Sequence, residues 1–230
     1  MGGLLPAAAN AQRDHLKPPS AVPDSAGTRF GYATDPSTGE PLYAYKPSLA
    51  SAPWQFRLGP DALEWRLGAR TDRLAYGHIR RLRLSFRPAG IGSRRYIAEI
   101  WPASGPKLTI ASMSLKGIAE RERLDAGYAA FVAELNRRVG AAGARASFER
   151  GVAPLLYWPA LALSAAAALA MAALAVEAMR AGVLAGALFV VAFLALFLWQ
   201  MSDFFRRNRP GTYRPDALPA DVLPHDEALR

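Results

Sequence analysis

The chain has 230 residues, 28 of them basic and 19 acidic, so its formal net charge is +9, and it contains no cysteine. The lack of cysteine excludes disulfide bonds and thiolate metal sites. Residues 54–150 hold eighteen basic and nine acidic residues and so account for the whole net charge. The length leaves room for one domain of about 100 residues beside tails and apolar segments.

Residues 1–53 are rich in Pro, Ala, Gly and Ser and show no sustained periodicity, which predicts a largely disordered tail. One stretch is different, because the turn sequence DPSTG at 35–39 is flanked by the aromatic residues Phe30, Tyr32, Tyr43 and Tyr45. A marginal hairpin that docks on its own domain or on a partner is an open alternative there. No cleavable signal peptide is expected, since the opening MGGLLPA has neither a basic leader nor an apolar core.

Residues 54–150 show alternation of apolar and polar residues up to Met113 and then a helical period. The clearest predicted strand has Leu82, Leu84 and Phe86 on one face and arginines on the other. After Gly117, apolar residues recur at helical spacing up to Val139. This order predicts an α+β domain, in which a bent antiparallel sheet or barrel is capped by one C-terminal helix.

The order of these elements carries a resemblance. The sequence LGPDALEWR at 58–66, the step YGHI at 76–79 and the terminal helix resemble the pleckstrin-homology-like (PH-like) domains of small bacterial membrane proteins, over residues 54–140. The resemblance implies a sheet capped by a helix that serves as a binding platform without catalytic machinery. The loop at 59–61 is short and acidic, whereas eukaryotic relatives carry basic lipid-binding residues there, so no head-group ligands are carried over.

Arginines form the main candidate binding site of the predicted domain. Alternation places Arg81, Arg83 and Arg87 on one face of the sheet. The complete predicted set is Arg80, Arg81, Arg83, Arg87, Arg94 and Arg95. Guanidinium groups suit phosphate and carboxylate partners, while the alternative is a solvated basic face. Nucleic acid is not an expected partner, because no recognition helix or aromatic stacking platform is apparent.

Two apolar segments, 155–176 and 181–201, follow this domain. Each has the roughly 20 residues that a helix needs to span a bilayer core of about 30 Å. The polar connection 177–180 is short, which predicts a tight turn and a transmembrane hairpin over residues 151–205. Neither segment carries an internal charge, which argues against an ion or proton path. A Pro-rich, extended arm is predicted for 206–230.

Basic residues determine the predicted orientation of the hairpin. Only Arg180 lies at its tip, whereas five arginines flank its open end: Arg145, Arg150, Arg206, Arg207 and Arg209. The positive-inside rule therefore predicts a multi-pass protein of the bacterial inner membrane with both termini in the cytoplasm. The predicted membrane-interface residues are Tyr157, Trp158, Trp199, Arg206, Arg207 and Arg209.

Small residues suggest how the two helices pack. Gly182 and Gly186 form a small-xxx-small pair, and Ala162, Ala166 and Ala170 provide a matching series on the first helix. Such residues let helix backbones approach closely in lipid. Packing within the hairpin is the preferred interpretation, and homodimerisation is the alternative.

Catalytic signals are weak throughout the sequence. The three histidines, His15, His78 and His225, are far apart, and the glycines at 90–92 lack the rest of a phosphate-binding loop. We therefore expect no catalytic residues, no metal site and no cofactor. The sequence favours a non-catalytic binding or assembly module that contacts membrane lipids and another membrane protein. The alternative is a structural accessory subunit of a larger membrane complex, whose tails contact neighbouring subunits.

Overall fold

A computed structural model describes residues 30–90, 93–115, 121–143 and 145–224. Its first sheet is a five-stranded antiparallel meander in chain order. The strands are β1 (Gly31–Thr34), β2 (Pro41–Tyr45), β3 (Trp54–Leu58), β4 (Ala62–Leu67) and β5 (Arg70–Ala75). One 3-10 turn, Tyr76–His78, leads from β5 into the second sheet.

The folded region begins well before Trp54, where the predicted tail was expected to end. β1 and β2 form a hairpin around DPSTG, which was one of the alternatives for this segment, and β2 pairs with β3. Contacts with the second sheet explain why this segment is folded. Tyr43 and Tyr45 are buried, and their hydroxyls donate 2.7 Å hydrogen bonds to the carbonyls of Ala111 and Thr109. The predicted disorder of residues 1–29 lies outside the described residues.

The second sheet has five strands in the order β12-β11-β6-β7-β8. They are β6 (Ile79–Gly90), β7 (Ser93–Pro102), β8 (Leu108–Ala111), β11 (Ser147–Arg150) and β12 (Gly211–Thr212). A two-stranded ladder joins β9 (Met113–Leu115) to β10 (Arg121–Arg123). β11 runs parallel to β6, while the other pairs are antiparallel. The α+β class is confirmed, but the described strands do not close into a barrel.

The helix predicted after the strands is α1 (Asp125–Ala141). Its inward face carries the buried residues Tyr128, Phe131, Val132, Leu135 and Val139, which match the helical period of the sequence. The ring of Phe131 lies 5.4 Å from that of Tyr43, so the helix packs on the first sheet. The side chains of α1 and of both sheets form one hydrophobic core.

Two long helices follow, α2 (Pro154–Arg180) and α3 (Leu184–Arg207). Both are long and apolar enough to cross a membrane. The predicted turn at 177–180 is wrong, because those residues form the last turn of α2 and the connection is 181–183. The backbone N–H of Ala181 still donates to Glu177, and the helix stops where Gly182 takes a φ of 74°.

The C-terminal arm lies along the chain's own domain. The hydroxyl of Tyr213 donates to Oδ1 of Asn136 on α1 at 2.8 Å, and Val222 is fully buried. Pro215 occupies the space above Gly140, where a Cβ would lie 2.9 Å from the proline ring. The arm thereby adds a layer over α1 instead of projecting away from it.

Candidate functional site

The predicted arginine face exists on the second sheet. Leu82, Leu84 and Phe86 of β6 are buried, whereas Arg81, Arg83 and Arg87 point to the opposite side of the strand. The period-two pattern of the sequence produces this separation, since successive side chains of a strand point to opposite faces. We call Arg81, Arg83, Arg87, Glu99, Trp101, Lys107 and Glu149 the arginine face.

Trp101 is at the centre of this face. It lies opposite Arg81 in the β6–β7 ladder, and its ring is 4.6 Å from the Arg81 guanidinium carbon. The guanidinium carbon of Arg83 is 5.2 Å from the same ring, and Nζ of Lys107 is 5.4 Å away. Three cations therefore surround one aromatic ring, at distances where cation–π attraction operates.

Two carboxylates hold the cations in place. Nε of Arg83 donates to Oε2 of Glu149 at 3.0 Å, and Glu149 comes from the neighbouring strand β11. Glu99 is buried and accepts a 2.6 Å bond from Lys107, with Nη2 of Arg87 at 3.6 Å. The arginine face has four cations and two carboxylates, so it keeps a positive excess.

The remaining predicted arginines lie toward the two ends of the β6–β7 ladder. Arg80 is exposed at an irregularity between Ile79 and Arg81, where the β6–β7 register shifts. Arg95 lies opposite Arg87 in the ladder, and Arg94 follows at the start of β7. Burial raises the pKa of Tyr96, and the guanidinium groups of Arg207 and Arg94 partly oppose that rise.

The base of the hairpin is fastened to the second sheet by Asn208. This fully buried residue accepts the backbone N–H of Phe86 on its side-chain oxygen at 3.1 Å and the N–H of Val152 on its own carbonyl at 3.0 Å. Gly151 donates its N–H to the carbonyl of Leu84 at 2.8 Å. A Cβ at Gly151 would overlap the Asn208 carbonyl oxygen. Both ends of the hairpin are therefore tied to β6.

The predicted interface residues fall into three environments. Trp158 and Trp199 are exposed, at 60% and 72%, whereas Tyr157 is buried against Phe205 with a ring distance of 5.5 Å. The hydroxyl of Tyr157 donates to the Phe205 carbonyl at 3.3 Å, which anchors the base of the hairpin. The three basic residues are at the same end: Arg206 and Arg207 pair with Asp203, and Arg209 is exposed.

Four of the five predicted packing residues are exposed, namely Ala162, Ala166, Ala170 and Gly182. Gly186 is half-buried beside the buried Ala187, and a Cβ at Gly186 would lie 3.2 Å from Val183. The buried and half-buried positions of the two helices recur mainly at spacings of three and four. On α2 they are Tyr157, Ala160, Leu161, Ser164, Ala168, Met171, Ala172, Ala175 and Ala178, and on α3 up to Phe204 they are Gly186, Ala187, Val190, Leu194, Phe197, Met201, Asp203 and Phe204.

The described residues also form a cavity outside the arginine face. A shallow cavity of about 470 Å³ lies between the β3–β4 turn and the end of α1, lined by Pro60, Asp61, Tyr76, Arg137, Arg138, Ala141 and Ala142. Burial raises the pKa of Tyr76 to about 12, and its hydroxyl donates to the Gly59 carbonyl. Among the described residues, no group of three His, Asp or Glu side chains is placed to hold a metal ion.

Comparisons with known proteins give no assignment for this site: no family model, no curated protein and no solved structure matches the chain.

Proposed function

We propose that this chain is an integral membrane protein whose hairpin crosses the bilayer and whose sheet domain is a non-catalytic binding or assembly module at the membrane surface. The observation that carries the proposal is the exposure of the hairpin. Within the most apolar 18-residue stretch of α2, only 6% of the residues are buried, and the share is the same for α3. The sheet domain, in contrast, has its own hydrophobic core. Exposed apolar surface on this scale is unfavourable in water and favourable in lipid.

Long apolar helices also occur in the cores of water-exposed proteins and in signal sequences, and α2 and α3 fit neither setting well. A core helix is mostly buried by its neighbours, whereas the main contacts of α2 and α3 within the described part of the chain are with each other, with the strand β6 and with the C-terminal arm. A signal sequence lies near the N-terminus, whereas α2 begins at Pro154. A helical hairpin satisfies its own backbone hydrogen bonds, as a bilayer requires.

The proposed orientation follows from charge. The open end of the hairpin carries Arg150, Arg206, Arg207 and Arg209, whereas the tip carries Arg180 paired at 3.0 Å with Glu177. The positive-inside rule then supports a cytoplasmic domain in a bacterial inner membrane. Two sheets covered by α1 are also compatible with the PH-like resemblance, which we retain as part of the proposal.

The arginine face is the proposed binding surface. Its excess of cations attracts an anionic partner, and its planar Trp101 ring provides a contact for aliphatic or aromatic side chains. Glu99 and Glu149 hold the cations in fixed positions, so that less side-chain entropy is lost on binding. We propose that the partner is an acidic surface of another membrane protein, brought close by the shared bilayer.

A site-specific crosslinking experiment tests this surface. A photoreactive amino acid at Ser147, which lies opposite Arg81 on the arginine face, should give an adduct in intact cells. The same probe at the exposed Thr71 of the first sheet is the matched control. The double substitution R81Q/R83Q should abolish the Ser147 adduct; an adduct that persists undiminished would contradict a charge-based contact.

The alternative of a structural accessory subunit is favoured by one observation. The exposed alanines at 162, 166 and 170 leave a smooth face on α2 against which another transmembrane helix, or a second copy, can pack closely. Disulfide crosslinking through A166C would yield a discrete product in that case. The arm up to Pro224 gives less support, because it contacts its own domain and is not free to clamp a neighbour.

A further inference from the structure

The two sides of the hairpin base differ in polarity. On α2, apolar side chains stay exposed to the first turn, with Leu155 at 84%, Leu156 at 65% and Trp158 at 60%. On α3, the exposed apolar surface stops at Trp199 and is followed by Gln200, Ser202, Asp203 and Arg206. Lipid-compatible surface therefore extends further toward the domain on α2 than on α3.

The contact between Tyr157 and Phe205 gives the relative height of the two helices. In an antiparallel pair it places Trp158 at the height of Phe204, five residues from Trp199. At 1.5 Å per residue, the two exposed tryptophans differ in height by about 7 Å along the hairpin. The uncharged exposed stretch is about 32 Å long on α2, from Leu155 to Val176, and about 24 Å long on α3, from Val183 to Trp199. Its midpoint lies about 8 Å nearer the base of the hairpin on α2 than on α3.

An upright hairpin does not centre both stretches in one hydrocarbon core of about 30 Å, because they are staggered along the hairpin. It would leave the start of α2 among head groups or draw the polar end of α3 into hydrocarbon. A tilt in the plane of the two helices brings the two stretches closer to one level. Because packed helix axes are about 8–10 Å apart, a tilt of roughly 40° brings Trp158 and Trp199 to one level, at the upper end of the range of about 0–40° seen for transmembrane helices.

We propose that the bilayer itself covers the exposed start of α2. The hairpin lies tilted, so that Leu155, Leu156 and Trp158 contact lipid chains while Ser202 and Arg206 of α3 stay among the head groups. The occupant is lipid because this surface continues the exposed apolar face of α2 without a charged residue between Pro154 and Val176. This inference rests on the proposed membrane crossing. Through Asn208 and Gly151, the tilt also orients the sheet domain relative to the membrane.

Spin-label accessibility tests the tilt, and the cysteine-free chain accepts single labels without background. Labels at L156C, S202C and A166C are placed in vesicles of phosphatidylcholine and phosphatidylglycerol at three to one. Ser202 lies about 6 Å nearer the hairpin tip than Leu156. The expected result reverses that order: the label at 156 is accessible to oxygen and shielded from a nickel chelate, whereas the label at 202 is open to the chelate.

The outcomes separate the tilt from the membrane crossing. A label at 202 as deep as, or deeper than, the label at 156 overturns the tilt, and so does shielding of 156 from both reagents, which indicates a protein cover. A water-accessible label at 166 overturns the crossing itself. A second variant, L155Q/L156Q, removes the apolar start of α2 and with it the reason for the tilt. The label at 202 should then lie deeper in the bilayer, and an unchanged depth contradicts the proposal.

Discussion

Arg57 is 1% exposed and is surrounded by three carboxylates. Its Nη1 lies 3.1 Å from Asp35 and its Nε 3.5 Å from Glu40, and Nη2 contacts Glu64. The guanidinium joins the β1–β2 turn to β3 and β4, which is why residues before Trp54 belong to the sheet. Removing one partner of a buried ion pair leaves the other partners without compensation.

R57M should therefore lower the free energy of unfolding by about 3–5 kcal/mol. R70M, at an exposed position on β5, is the matched control and should change it by less than about 0.5 kcal/mol. Thermal or urea unfolding of the purified chain in mild detergent, followed by circular dichroism, measures both. Equal effects of the two substitutions would show that the buried network contributes little.

Acid should destabilise the domain through depressed carboxyl pKa values. Hydrogen bonds from Arg137 and Arg138 lower the pKa of Glu134 to about 2 against the effect of burial. Burial acts to raise the pKa of Asp35, but Ser37 and Arg57 outweigh it, so that this pKa is also lowered.

A carboxyl group whose pKa is lower in the folded state than in the unfolded state stabilises the fold in its charged form. This stabilisation is complete above the unfolded-state pKa and is lost as the pH falls through the folded-state pKa. We expect E134Q to flatten the loss of stability between pH about 4.5 and about 2 by about 1 kcal/mol, since its partner Arg137 is exposed. Unfolding curves at a series of pH values measure the slope. An identical slope in the variant would contradict the role of Glu134.

At the residue scale, the sequence predicted one side of the arginine face and missed the other. Alternation along β6 was sufficient for Arg81, Arg83 and Arg87. The same alternation along β7 places Glu99 and Trp101 on one face and Ala98 and Ile100 on the other. It could therefore have indicated Glu99 and Trp101 as members of the arginine face. Glu149 could not be foreseen, because its strand pairs in parallel with β6 after an intervening helix, and local patterns do not encode such pairing.

At the element scale, the contact between the hairpin and β6 depends on close backbone approach at Gly151. A Cβ there would overlap the Asn208 carbonyl oxygen and lie 2.6 Å from that of Arg209, and its φ is 75°. Gly143 has a similar φ of 61° but nothing within 4 Å. Substituting both by alanine thus separates the clash from the backbone strain.

G151A should destabilise the domain by at least about 2 kcal/mol more than G143A does, because backbone carbonyls cannot move aside as side chains can. Unfolding in mild detergent compares the two variants. Similar losses would mean that only the left-handed backbone conformation matters and that the ends of the hairpin are not held tightly together.

The helices illustrate which element features the sequence can and cannot specify. Length and composition identified both apolar helices, but the polar residues Glu177 and Arg180 suggested a turn where the helix in fact continues. Polar residues are tolerated at an exposed helix end, and Gly182 is the residue that ends it. The alanines at 162, 166 and 170 were predicted to pack but are exposed, because helix-facing positions depend on the phase of a pattern that alanine, present almost throughout α2, does not reveal.

For the whole molecule, we propose a sheet domain joined to a bilayer hairpin through two short segments, in which Gly151 and Asn208 are buried. The class of the fold and the two apolar helices followed from periodicity and length. The pairing between sheets, the β11–β12 addition and the docked arm depend on long-range contacts, for which the sequence carries no local signal. Because the domain and hairpin share hydrogen bonds at Asn208, we expect movement of one to be transmitted to the other.

Membrane crossing is the central claim, and cysteine labelling from the two sides of the membrane tests it most directly. A217C lies in the arm and A181C in the connection at the hairpin tip, and both positions are exposed. In oriented inner-membrane vesicles, we predict that a membrane-impermeant maleimide reacts with Cys at 217 only from the cytoplasmic side and with Cys at 181 only from the opposite side. Labelling of both positions from the same side would contradict the crossing.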